Sequence, residues 1–244
     1  MDEHRRNFFC LLTFYLPGIH AIYHPPMRRI TSEFLGSYLL ALAVVGSGAF
    51  AVSLTDDGGL RLLINALVTA GILILIITLL NPLSGAHFNP AVSLVAFLKK
   101  ELTTSEVFQY ILSQIAGGIT GVITANFLFN LTIVSSKSIS SIEFSLFISE
   151  VVATAGLLFV IRHLINEGKF SFMPFGVSLW IFAGYFFTPS ASVANPAMTL
   201  GRALTDSYAG ISSGLVLPYL AAQVIGALLG LLLAESLSKR TKNG

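Results

Sequence analysis

The chain is poor in charge. Of its 244 residues only 11% are Asp, Glu, Lys or Arg, the formal net charge is +2, and 54% are hydrophobic. A soluble domain could not hide that much apolar surface, and a mean hydropathy of +0.80 places the chain among multi-span integral membrane proteins. Cysteine is almost absent. Cys10 stands alone, which excludes an internal disulfide and any cysteine-based metal cluster. His4, His20, His24 and His163 show no metal-ligand spacing, and no nucleophile–base pair stands near a defined site. Neither an enzyme, a cofactor, a metal site nor a nucleic-acid partner is expected; the expected surroundings are membrane lipids.

Long uncharged stretches are what the chain does have. Phe34 to Thr55, Val107 to Ser136, Phe144 to Ile161 and Ser207 to Ala234 each hold one span. Leu62 to Leu98 and Phe170 to Gly201 exceed the roughly 20 residues of one span but are too short for two spans and a loop. One full span followed by a half-length helix fits both. A half-helix of about nine residues covers on the order of 14 Å, about half a bilayer core. The expected fold class is therefore all-α membrane, with six transmembrane helices and two re-entrant half-helices.

Each half-helix has a start signal. Asn89-Pro90-Ala91 follows Ser84-Gly85-Ala86-His87-Phe88, and Asn195-Pro196-Ala197 follows Ser192-Val193-Ala194. Asn is a good N-cap, and Pro at the first helical position gives up only an N–H that had no partner. A helix that starts inside hydrocarbon leaves free N–H groups that lipid cannot satisfy, so this backbone must line a wet cavity. Two such starts point to a pore.

The two motifs belong to a longer repeat. Glu33-x-x-x-Ser37 is echoed by Glu150-x-x-x-Thr154. Tyr110-x-x-x-Gln114-x-x-Gly117-x-x-x-Gly121 is echoed by Tyr219-x-x-x-Gln223-x-x-Gly226-x-x-x-Gly230. Four motifs in the same order indicate an internal duplication, with repeats over about 30–134 and 143–237. Each repeat has three spans, an odd number, so the second enters from the opposite face; inverted repeats with broken helices at the midplane are a transport architecture. Residues 1–29 read as a cytoplasmic or interfacial extension, although Phe8 to Tyr23 has some signal-peptide character, and Met27-Arg28-Arg29 could be the functional start. The channel domain is expected over 30–237 and a cytoplasmic tail over 238–244. With the N-terminus inside, Arg5, Arg6, Arg28, Arg29, Lys99, Lys100, Arg162, Lys169, Lys239, Arg240 and Lys242 are cytoplasmic, against Arg61, Lys137 and Arg202 outside. This positive-inside bias predicts that both termini are cytoplasmic.

From about Arg29 to Leu237 these motifs resemble the aquaporin, or major intrinsic protein, family. The resemblance implies a homotetramer with one pore per subunit, passing water or small neutral solutes, in a bacterial inner (plasma) membrane. It also implies that the Asn89 and Asn195 side-chain amides face the pore. Physical reasoning runs parallel: two half-helix N-termini, each with roughly half a positive charge, make the pore centre hostile to protons and cations. The amides can orient a passing water and break a proton-conducting chain.

One position departs from the family. Water-selective members carry Arg directly after the second Asn-Pro-Ala; here it is Met198, followed by Thr199 where glycerol facilitators have Asp. A less polar filter is expected. The run Phe187 to Ala194, with Met198-Thr199-Leu200-Gly201-Arg202, resembles a bacterial subgroup associated with arsenic resistance. Water, glycerol-like polyols, urea-like solutes and neutral arsenite are all compatible cargoes.

Counting from the motifs places Thr69 and Ile181, with Trp180 close by, at the filter beside Met198. Arg202 lies one helical turn beyond Met198; it either guards the pore or pairs with Asp206 or the half-helix end. Glu33 and Glu150 either couple protons or hold the re-entrant loops through backbone hydrogen bonds, with Gln114 and Gln223 in a similar structural part. His87 is a pH sensor or a brace. The Gly-x-x-x-Gly pairs read as close helix packing. A coupled secondary transporter and a closed structural membrane protein remain the alternative functions.

Overall fold

The computed structural model describes residues 25–133 and 144–238. The expectations for Phe8 to Tyr23, Lys137 and the basic tail, as well as Cys10, His4, His20 and His24, fall outside them. Among the described residues eight α-helices follow in order: α1 Pro26–Leu54, α2 Gly58–Ser84, α3 Pro90–Leu98, α4 Thr104–Phe129, α5 Phe144–Asn166, α6 Met173–Phe187, α7 Pro196–Arg202 and α8 Val216–Leu237. Single 3-10 turns, Phe170–Phe172 and Ser213–Leu215, lead into α6 and α8. Six of these segments are long and apolar enough to cross a membrane; α3 and α7 are the half-length pieces, of 9 and 7 residues.

Local chemistry sets the ends. The Asp57 side chain accepts from the Leu60 N–H to open α2, and Gly85 closes it at φ 87, a left-handed cap that suits glycine. Thr103 and Glu106 exchange hydrogen bonds as a capping box at the start of α4. Asn89 and Asn195 cap α3 and α7, each with proline next.

Several helices run further than the uncharged stretches imply, α1 and α5 by the most. α1 begins at Pro26, so Met27, Arg28 and Arg29 are its first turn rather than an extension. Arg29 is tolerated because its guanidinium pairs with Glu106 and donates to the Tyr110 hydroxyl. α5 continues past Ile161 to Asn166 because Arg162 is neutralised by Glu101. Buried charge ends a span only when it has no partner.

The duplication is visible in the packing. α1 crosses α4, and α5 crosses α8, at their Gly-x-x-x-Gly faces. A Cβ at Gly117 or Gly121 would lie 2.3 Å from the Phe34 or Tyr38 carbonyl oxygen, and one at Gly226 or Gly230 would lie 2.5 or 2.2 Å from that of Val151 or Ala155. These are backbone atoms, which cannot swing aside. Gly230→Leu is therefore expected to lower stability by about 1–3 kcal/mol or more, read as a fall in the thermal unfolding temperature of the detergent-solubilised protein. The exposed Leu228, by contrast, should accept Ala with little change.

Candidate functional site: two re-entrant loops and a shared cavity

The loops before α3 and α7 turn back into the protein through residues with left-handed backbone. Ala86 (φ 51) and Phe88 (φ 48) precede Asn89 by three and one; Ser192 (φ 51) and Ala194 (φ 47) precede Asn195 by the same steps. Such conformations cost roughly 1–2 kcal/mol per non-glycine residue, so something must hold them. Two fully buried carboxylates do. Glu33 on α1 accepts from the backbone N–H of His87 (3.0 Å) and Phe88 (2.7 Å), from the Ser84 hydroxyl (2.6 Å) and from Gln114 Nε2 (2.7 Å). Glu150 on α5 accepts from the backbone N–H of Val193 and Ala194 (both 2.9 Å) and from Gln223 Nε2 (2.7 Å).

A further pair completes this arrangement. Gln114 Nε2 also donates to Ser93 Oγ, and Gln223 Nε2 to Thr199 Oγ1, both at 2.8 Å. Ser93 and Thr199 stand four residues after Asn89 and Asn195. Sequence reasoning missed them as partners, although that shared offset was there to be read. His87 Nδ1 lies 3.0 Å from Ser93 Oγ, and its ring meets the Tyr110 ring edge-on.

The two halves join at the motifs themselves. Asn89 Oδ1 accepts from the Ala91 N–H, capping its own helix, while its Nδ2 donates 2.8 Å across to the Ala194 carbonyl. Asn195 mirrors this: Oδ1 accepts from the Ala197 N–H and Nδ2 donates 2.9 Å to the Phe88 carbonyl. The amides are thus only partly free. An amide nitrogen carries two hydrogens; one is committed to the opposite loop, and one remains for a guest.

A cavity of about 280 Å³ passes both asparagines. At one end it is lined by Thr69, Ile181, Tyr185, Met198 and Arg202, and at the other by Glu101, Arg162, Phe170 and Met173. Val44, Leu73, Val92, Leu157 and Val177 supply much of the wall between. Thr69, Ile181, Met198 and Arg202, the residues that the motif offsets name, all line this cavity. Trp180 is elsewhere, lying over Gly156 and donating to the Ala153 carbonyl at 2.8 Å. Tyr185 takes a place at this end that offsets from the motifs did not reveal; it is one helical turn past Ile181. Its hydroxyl is 3.0 Å from Thr69 Oγ1, whose hydrogen goes to the Asn65 carbonyl, so Tyr185 is the donor. Arg202 Nε donates to the Ala209 carbonyl at 2.5 Å. Among the described residues no group of three or more His, Cys, Asp or Glu comes together.

Comparison with known proteins agrees with this architecture. A family profile described as "Major intrinsic protein" matches residues 22–188, stopping short of the second Asn-Pro-Ala. The chain is 41% identical over 206 residues to aquaglyceroporin AqpS of Rhizobium meliloti (strain 1021), covering 84% of this chain and 88% of that one. It is 27% identical over 213 residues to aquaporin NIP1-1 of Arabidopsis thaliana, covering 81% and 71%. Its fold superposes on the X-ray structure of the aquaglyceroporin from Plasmodium falciparum with a TM-score of 0.65 at 20% identity, covering 88% of this chain and 97% of that one. The chain is an integral membrane protein and belongs to the major intrinsic protein family.

Proposed function

We propose that the chain is a passive channel for water and small uncharged solutes of the glycerol type, excluding protons and ions. The observation that carries this reading is the cavity that runs between the two asparagine-capped loops, apolar along much of its wall and bearing charge at both ends. In that setting the spare hydrogen of each Asn amide meets a solute oxygen at the centre. The capped ends of the half-helices there disfavour a cation. Glu33 and Glu150 act as loop anchors rather than proton carriers, since their oxygens are already engaged by three or four donors each.

The filter is Thr69, Tyr185, Ile181 and Met198, with Arg202 supplying the fixed cation one turn beyond its place in water-selective relatives. Names support the solute class: the Rhizobium meliloti relative is called an aquaglyceroporin. Homotetrameric assembly in a bacterial inner membrane, with both termini cytoplasmic, completes the proposal.

Stopped-flow light scattering on proteoliposomes tests it. Purified protein is expected to speed both osmotic water flux and glycerol entry with no dependence on a proton gradient; solute flux that requires such a gradient would decide for coupled transport. Arg202→Ala removes a hydrogen-bond donor set from the filter. A hydrogen bond contributes about 0.5–1.5 kcal/mol, so the ratio of glycerol to water permeability should change on the order of two- to tenfold. An unchanged ratio would retire Arg202 from the filter.

A further inference from the structure

The end of the cavity away from Arg202 contains the other arginine of its lining. Arg162, on the last turns of α5, is 4% exposed and lines the cavity together with Glu101, which follows α3. A guanidinium carries five N–H donors on three nitrogens. Here a single nitrogen does the pairing: Nη1 is 2.8 Å from Glu101 Oε1 and 2.9 Å from Oε2. Nε is buried and has no acceptor. An ion pair made only to anchor a loop would be expected to set the fork of the guanidinium against the carboxylate. This one leaves donors unanswered in the wall of a cavity whose neighbouring lining, Ile165, Phe170 and Met173, offers none.

We propose that Arg162 and Glu101 form a second selectivity station, at the opposite end of the permeation path from Arg202, that binds uncharged polyhydroxy solutes in transit. The inference rests on the channel reading above. The Nη2 of Arg162, which takes no part in the pairing with Glu101, donates to a solute hydroxyl oxygen, while the buried Nε has no acceptor. Glu101, whose side chain is 44% exposed, accepts a solute hydroxyl hydrogen, and the apolar neighbours meet the carbon backbone. A small polyol alternates these features along its length. A simple ion meets both signs of charge at once and gains little. Such a station would favour polyols over water in a path otherwise dominated by apolar side chains.

Arg162→Lys separates this role from anchoring. Lys keeps the charge and can pair with Glu101, but it has no planar edge left over. In proteoliposomes the ratio of glycerol to water permeability is expected to fall at least threefold relative to the native protein. Arg162→Gln, read in parallel, removes the charge while keeping a donor, and a fall of similar or larger size is expected. If either variant assembles normally on size-exclusion chromatography and keeps the native ratio, the station does not exist. Native protein that passes water but no glycerol would also overturn the station, whereas native protein that passes neither would overturn the channel reading itself, so the two failures are distinguishable.

Discussion

Glu150→Ala is expected to prevent the protein from holding its second re-entrant loop. The carboxylate is fully buried and accepts from the Val193 and Ala194 N–H groups and from Gln223. Its removal leaves the buried Val193 and Ala194 N–H groups without acceptors, at about 1–3 kcal/mol each, and Gln223 Nε2 with Thr199 Oγ1 alone. Stabilities of about 5–15 kcal/mol are typical of domains, so a loss on the order of 2–6 kcal/mol from these two groups is large. The loop has left-handed residues at Ala191, Ser192 and Ala194, and this strain is released when the anchor goes. Size-exclusion chromatography and thermal unfolding in detergent are expected to show aggregation or a fall in unfolding temperature too large for a surface change. Glu150→Gln keeps one oxygen acceptor and should fall between Ala and native. A Glu150→Ala variant with native stability and native flux would mean that the loop is held by something other than this carboxylate.

The second large effect is expected in selectivity, from Met198→Arg. Met198 is 4% exposed, lines the cavity and lies against Gly118, where a Cβ would be 3.0 Å from its terminal methyl carbon. Arg at this position puts a longer, charged group into the filter, one helical turn from Arg202. Two cations at that spacing repel, and the added guanidinium narrows the path. Glycerol permeability is expected to fall by about tenfold, equivalent to about 1.4 kcal/mol in barrier, with water affected less. Adding Arg202→Met to the same chain relocates the cation instead of doubling it, and should recover part of the lost water flux. If Met198→Arg leaves glycerol entry as it was in a properly assembled protein, residue 198 is not at the constriction.

Much of this fold was legible because the constraint that made it is severe. Within hydrocarbon a chain can only run helical or hide its backbone, so two stretches of intermediate length, each containing an Asn-Pro-Ala, have few alternatives. The loop anchors were legible for a related reason: Glu33 and Glu150 recur at matched positions of a duplicated chain. What stayed hidden depended on pairing across long separations. Nothing near Arg29 or Arg162 announces that Glu106 or Glu101 will meet it, so the spans were read too short. Tyr185 was hidden because its partner Thr69 lies on another helix and belongs to no motif. The commitment of one hydrogen of each Asn amide to the opposite loop could not be foreseen either, since it exists only once both loops are in place.

That reciprocal clasp has a consequence for how the molecule comes to exist. Asn89 needs the carbonyl of Ala194, and Asn195 that of Phe88, so neither copy of the duplicated unit can finish its own interior. During synthesis the first three spans and α3 must wait, with their centre unsealed, until α7 has entered from the far side. By the same logic, a single copy on its own could close this centre only by pairing with a second copy inserted in the opposite direction. Here both partners of that mutual dependence lie within one polypeptide.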